Sequence, residues 1–107
     1  MQGLKFNVEK LVSANNWTDW KFQVRIVIQS AGCTSAIQGN IKYPETPATT
    51  ASEKEFADYN KALNAARKME YDAQAIIVGS LSSQVRQLIN MCKEAKEMWD
   101  TLHSIFE

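Results

Sequence analysis

The stretch NWTDWKFQVRIVIQSA, residues 16–31, decides the fold that the sequence predicts. Its apolar residues recur at i, i+4, i+7, i+8 and i+11, the pattern of a helix with one face in the core; they are Trp20, Val24, Val27, Ile28 and Ala31. Trp17 shares roughly the face of Trp20, and each ring can bury about 150–250 Å². We therefore expect this helix, over 17–31, to anchor the first half of the chain.

The ends of this helix carry recognisable capping residues. Asn16 can accept from the free amides of the first turn, and Asp19 stands where a capping-box acid reaches back. Gly32 can supply the left-handed residue that commonly closes a helix.

A second set of residues on the same helix lies off the main stripe. Phe22 and Ile26 suggest that the helix buries two faces and sits centrally, with Arg25 and Gln29 on a polar strip beside them. Two interpretations stay open. Either Lys21, Arg25 and Gln29 are ordinary surface beside a second core face made by Phe22 and Ile26, or this side of the helix is a contact surface for a neighbouring subunit, where Arg and aromatic residues are enriched.

The remaining apolar spacing predicts further helices at about 34–38, 53–78, 83–91 and 95–106. Ser52 and Glu55 form a capping box at the start of the long one, whose stripe drifts near 69–72, so that a kink or break there is conceivable. The last helix has the cleanest stripe, with Ala95, Met98, Trp99, Leu102, Ile105 and Phe106 on one side. His103 falls on its polar side, where we expect it to be exposed and inert.

The segments between and before the helices complete an all-α bundle of about five helices in one domain, 1–107. Leu4, Phe6 and Val8 alternate, as an extended N-terminal segment laid on the core would. Residues 39–51 form a loop, since Pro44 and Pro47 remove donors and restrict their neighbours. The expected core anchors are Trp17, Trp20, Ile28, Trp99, Leu102 and Phe106.

Composition narrows the class of protein. Twelve basic residues balance 12 acidic ones, so no strong field draws the chain to nucleic acid or anionic lipid. No apolar run approaches a membrane span, and the N-terminus is not a secretory signal. Cys33 and Cys92 lack metal-ligand spacing, which favours reduced, structural cysteines in an intracellular, cytoplasmic protein.

No constellation of residues in the sequence points to an enzyme. A pairing of His103 with Ser or Cys would require an unlikely crossing of helices. The acidic residues are scattered, and the glycines form no phosphate loop. We expect no cofactor, metal or small-molecule substrate. Trp20 and Trp99 could stack on single-stranded nucleic acid, but their place on full apolar stripes favours the core.

Two blocks of the sequence resemble the Gag polyprotein of copia-type long-terminal-repeat retrotransposons. The first, KLVSANNWTDWKFQVRIVIQSAG at 10–32, matches the family pattern at Lys10, Leu11, Asn16, Trp17, Trp20, Lys21, Arg25, Val27, Ile28 and Gly32. The second, AIIVGSLSSQVRQLINMCKEAKEMWDTLHSIFE at 75–107, matches its closing pattern at Leu81, Val85, Ile89, Ala95, Trp99, Leu102 and Phe106. The order and spacing of both blocks together carry the resemblance.

The resemblance implies a fold like the N-terminal domain of retroviral capsids and a structural role. Copies of Gag would assemble through such domains into a virus-like particle, with the candidate self-association residues Phe22, Arg25, Ile26 and Gln29 and the exposed loop Lys42–Thr50 as two different patches. The chain departs from the family in having Glu94 where a Thr or Ser helix cap is usual. The family's zinc knuckle and second capsid half are missing too, so we expect either an N-terminal fragment of a capsid protein or a domesticated, Gag-derived host protein that acts as a protein-interaction module.

Overall fold

The structure, a computed structural model, describes residues 7–107, and this part of the chain is helical without strands. A short 3-10 turn, Ala14–Asn16, leads into helices α1 (Trp17–Ser30), α2 (Thr34–Gln38), α3 (Glu53–Gly79), α4 (Ser83–Arg86) and α5 (Ala95–Phe106). The predicted all-α class and the number of helices are confirmed. α2 and α5 have the predicted bounds, and α1 and α3 each differ from them by one residue.

A cluster of tryptophans joins α1 to α5 and forms the centre of the core. The Trp20 ring lies 5.5 Å from that of Trp17 and 5.8 Å from that of Trp99, centroid to centroid. The Nε1–H group of Trp20 donates a 2.8 Å hydrogen bond to the carbonyl of Ser80, just after α3. Since Trp20 is 1% exposed, this bond satisfies a donor that would be costly to bury alone.

Five of the six expected core anchors are buried, namely Trp17, Trp20, Ile28, Trp99 and Leu102. The sixth, Phe106, is half-buried: it stacks on Trp17 at 5.5 Å from the last turn of α5, with its outer side open to solvent. It therefore packs against the core from the edge and is not enclosed by it.

The segment before α1 is tied to the end of α3 by one β-bridge and by Lys10, whose Nζ donates to the Gly79 carbonyl at 2.9 Å. Leu11 is fully buried; its amide donates to the Ser80 carbonyl and its carbonyl accepts from the Ser82 amide, each at 3.0 Å. Val8 is half-buried against the core, as the extended-segment prediction requires. Leu4 and Phe6, the other residues of that prediction, lie outside the described residues.

The predicted cap of α1 was wrong. The Asn16 side chain makes no bond to the first turn of α1. Its Oδ1 instead accepts from the amide of Val12, at 3.2 Å, and Asp19 accepts from Gln23 rather than reaching back. The reason is the preceding 3-10 turn, because the Asn16 side chain turns back to it and also accepts from the Ser13 amide, at 3.4 Å. At the other end Gly32 has the predicted left-handed backbone, with φ of 74°.

α3 runs without a break through 69–72, where the drifting stripe had suggested a kink. The polar residue that interrupts the stripe, Glu70, is 9% exposed and has a structural partner. Its Oε2 accepts from the amide of Ala95, the first residue of α5, and from Gln74 Nε2, both at 2.6 Å. Glu94 makes no side-chain cap bond, so the cap of α5 comes from another helix.

The helix predicted over 83–91 ends early, at Arg86. Beyond it the amides of Leu88, Ile89 and Cys92 bond to the carbonyl three residues back, which is turn rather than α-helical bonding. The prediction rested on Val85, Leu88 and Ile89; Val85 and Ile89 are buried, but Leu88 is 50% exposed. The spacing therefore identified two of the three buried side chains it required, but not the backbone that places them.

The tryptophan cluster makes a direct prediction about stability. Replacing Trp20 by Ala removes two ring contacts and leaves the Ser80 carbonyl with one bond fewer. The free energy of unfolding should therefore fall by roughly 3–5 kcal/mol. Trp99→Ala should behave alike. Phe22→Ala, at a ring that is 53% exposed, is the matched control and should change little. Urea unfolding of the three variants measures this, and a Trp99→Ala variant that unfolds with the parent would contradict the shared core.

The Glu70 cap predicts an unusual pattern at the start of α5. Glu70→Ala leaves the buried Ala95 amide without an acceptor and should destabilise the fold by about 1–3 kcal/mol. Glu70→Gln keeps an acceptor oxygen and should lose less. Glu94→Ala removes the residue at the usual cap position and should be nearly neutral in the same urea titrations. A larger loss from Glu94→Ala than from Glu70→Ala would reverse this assignment of the cap.

Candidate self-association surface

The outer face of α1 carries the four residues that the sequence singled out. Phe22 is 53% exposed and Ile26 is 44% exposed, with Arg25 and Gln29 exposed beside them. The prediction that Phe22 and Ile26 form a second buried face was wrong. α1 buries one stripe against α2, α3 and α5, and the opposite side of the helix stays open. We call these four residues the α1 patch.

Arg25 and Phe22 are already arranged together within the α1 patch. The guanidinium carbon of Arg25 lies 5.9 Å from the centre of the Phe22 ring, a cation–π distance. Such a contact holds a long side chain over an aromatic face before any partner arrives, which lowers the entropy lost on binding. An exposed Arg–aromatic pair with an aliphatic neighbour has the composition of an interface core.

The buried side of α1 makes the patch a rigid one. Trp20, Val24 and Ile28 are at most 1% exposed, so the helix has little freedom to rotate or slide. Next to the patch, Lys21 is engaged elsewhere: its Nζ bonds to Glu107 Oε1 at 3.0 Å. That hydrogen bond is the main cause that lowers the pKa of the Glu107 carboxyl.

The loop Lys42–Thr50 supplies a second exposed surface. Residues 41–48 join no helix, as the two prolines predict, and Tyr43 is 50% exposed. Partial burial, and then the nearby charges of Glu70 and Glu94, raise the pKa of the Tyr43 phenol. Tyr43 stands at the edge of an open cleft of about 560 Å³ between the loop, α3 and α5, whose wall also includes Glu97. The cleft wall is acidic, with four carboxylates beside one lysine, and neither it nor the loop shares a residue with the α1 patch.

Groups with chemical reactivity do not converge on either surface. His103 was expected to be exposed, and that was wrong: four residues after Trp99, it lies half-buried with its ring 5.0 Å from Trp17 and 4.9 Å from Trp99. Its Nδ1 is 2.8 Å from the Trp99 carbonyl. Cys33 is buried, which raises the pKa of its thiol, and Cys92 is also a free cysteine.

Residues 7–107 contain neither a metal-binding cluster nor a membrane-spanning helix. No group of three His, Cys, Asp or Glu residues is placed to hold a metal ion. No helix in the same range is both long enough and apolar enough to cross a bilayer.

Sequence reasoning located the α1 patch but missed the role of Glu70 and the cleft beside Tyr43. A charged residue inside an apolar stripe was the available signal for Glu70, and it was interpreted as helix drift. The cleft depends on how the loop crosses α3, for which the sequence holds no comparable signal.

Comparisons with protein-family models, curated proteins and solved structures found no match to this chain.

Proposed function

We propose that this chain is a structural self-assembly domain, the N-terminal capsid domain of a copia-type Gag polyprotein. The observation that carries the proposal is the α1 patch: an exposed Phe22–Arg25 pair with Ile26, presented on a helix whose other side is fixed in the core. The resemblance of residues 10–32 and 75–107 to Gag adds support. It covers α1, which bears the patch, and α5, whose Trp99 packs against the buried side of α1.

A shell places specific demands on such a domain. Copies arranged about a rotation axis make heterologous contacts, so each molecule needs two different matching patches. The α1 patch is one, and the loop Lys42–Thr50 is the candidate for the other. Each contact is weak by itself, because a shell gains its stability from many copies and must correct errors while it grows. We therefore expect monomers or weak dimers in dilute solution.

The proposal also assigns partners and place of action. The partners are other Gag copies, and the place is the cytoplasm, in a virus-like particle. This segment takes no direct part in RNA binding, since its formal net charge is zero and non-specific affinity depends on neutralising several phosphates. Neither a small-molecule substrate nor a cofactor is required, and the domain acts through its surfaces rather than as an enzyme.

The test is a charge reversal in the α1 patch. Arg25→Glu, introduced into the Gag polyprotein that carries this domain, should abolish particles seen by electron microscopy, because it removes the cation–π pair and reverses the charge of the patch. Lys61→Glu, also at an exposed position but on α3, is the matched control and should leave particles intact.

The melting temperature of the isolated chain separates the possible causes. An unchanged value in Arg25→Glu together with lost particles supports the interface role. Normal particles would remove the α1 patch from the proposal, and a lowered melting temperature would assign Arg25 to the fold instead.

A further inference from the structure

The first half of α3 projects from the rest of the molecule. The helix has 27 residues, about 40 Å at 1.5 Å per residue, in a molecule that measures 56 × 29 × 19 Å. It must therefore lie along the long axis. Its first buried residue is Ala66, so the turns from Glu53 to Ala65 extend beyond the packed core. We call this segment, 53–65, the outer half of α3.

One apolar seam runs along both halves of α3 at alternating intervals of three and four residues, as in a coiled coil. Its members, all apolar except Glu70, are Phe56, Tyr59, Leu63, Ala66, Glu70, Ala73 and Ile77. The last four are buried inside the molecule, whereas Phe56 is 37% exposed and Tyr59 and Leu63 are half-buried. The seam that packs into the core in the inner half of α3, 66–79, thus continues into the outer half, where the rest of the molecule covers it only in part.

The opposite face of α3 is a solvated one. Lys54 pairs with Asp58 at 2.9 Å and Lys68 pairs with Asp72 at 2.6 Å, both with i,i+4 spacing. Lys61 stands at the corresponding place between these pairs. The outer half of α3 is thus amphipathic, with one charged face and one apolar face, which is typical of a helix that packs against a partner.

A groove beside the seam provides a place for a large side chain. It has a volume of about 550 Å³ and lies between the loop residues Ile41 and Lys42 and a floor of small or flexible α3 side chains, among them Ala62, Ala66 and Met69. Phe56 lies ten residues before Ala66, about 15 Å along the same helix. One molecule therefore carries both an exposed ring and a groove able to receive one.

We propose that the outer half of α3 pairs antiparallel with the same segment of a second copy. In an antiparallel coiled coil the first and fourth positions of the repeat face each other. This register sets Phe56 of each copy over Ala66 of the other, in the alanine groove, and Tyr59 against Leu63. The contact is isologous, with a two-fold axis near residue 61.

Charge complementarity selects this occupant and this direction. In the antiparallel register Glu53 of one copy faces Arg67 of the other, and Glu55 lies toward the groove wall that bears Lys42. Each pairing occurs twice about the axis. In a parallel pair Arg67 would lie beside Ala62 of the other copy and Glu53 beside residue 48, so neither charge would gain an opposite partner.

The area fits a reversible contact rather than a permanent one. Phe56 is 37% exposed and Tyr59, Leu63 and Met69 are half-buried, so these side chains of both copies have only on the order of 500 Å² in total left to bury, which is the size of a weak, transient contact. The inference rests on the proposed function in that both require self-association. It adds a two-fold contact that uses none of the residues of the α1 patch.

Single-cysteine cross-linking of the full chain tests the register. Asn60→Cys, in a Cys92→Ser background with Cys33 buried, places a thiol beside the two-fold axis. A short bis-maleimide should link it to itself. Lys61→Cys, one residue on but on the solvated face, is the matched control and should give little product. In mixtures, Glu53→Cys should link to Arg67→Cys and not to itself. Equal linking at 60 and 61, or Glu53→Cys linking to itself, would overturn the proposal.

Sedimentation velocity over a range of concentrations provides the second measurement. Phe56→Ala removes the ring, and Ala62→Trp fills the groove from an exposed position; each should raise the dimer dissociation constant about tenfold or more. Lys61→Trp is the matched control for the second variant and should not change it. Dimers that survive both Phe56→Ala and Ala62→Trp would overturn the α3 pairing.

Comparison with the α1 patch separates this inference from the proposed function. Association that is lost in Arg25→Glu but kept in Phe56→Ala would refute the α3 pairing and leave the proposed function standing. The reverse result would keep the α3 pairing and remove the α1 patch. Both proposals would be refuted if the wild-type chain stayed monomeric at all concentrations and the polyprotein that carries it formed no particles.

Discussion

The hydrogen bond from Trp20 to the Ser80 carbonyl, with the ring contacts around it, is the interaction on which the rest of the structure depends. That carbonyl accepts both Trp20 Nε1, at 2.8 Å, and the Leu11 amide, at 3.0 Å. One peptide group at the end of α3 thus fixes α1 and the segment before it. The Trp99 ring then joins α5 to the same point. A small core is made specific in this way, because a buried indole accepts few other placements.

This arrangement leaves two surfaces free. With its stripe held by the tryptophan cluster, α1 can present Phe22, Arg25 and Ile26 outward as a rigid patch. With its inner half committed to the core, α3 can extend its outer half past it as a continuous helix, because both halves share one hydrogen-bonded backbone. A cooperative core and an uncovered surface on the same helix are what a domain that associates with its own copies requires.

The local sequence pattern predicted the helices well, but it predicted poorly which residues cap them and which of their faces other helices cover. The stripes of Trp20 to Ile28 and of Ala95 to Leu102 specify helices, because a 3.6-residue period leaves no other way to bury them together. The cap of α5 escaped prediction because Glu70 is 25 residues away from Ala95 in sequence. Phe22 and Ile26 were misjudged because apolar character alone does not separate a second core face from an interface. That distinction depends on what other helices cover.

Amide hydrogen exchange along α3 tests the central claim, that a tryptophan-centred body holds surfaces open for a second copy. In dilute solution the amides of 66–79 should be strongly protected and those of 53–65 should exchange much faster, since local opening there breaks few buried contacts. Raising the protein concentration should slow exchange in 53–65 while leaving 66–79 unchanged. Equal, strong protection of both halves at high dilution would contradict the account, because the outer half would then be stabilised within its own molecule.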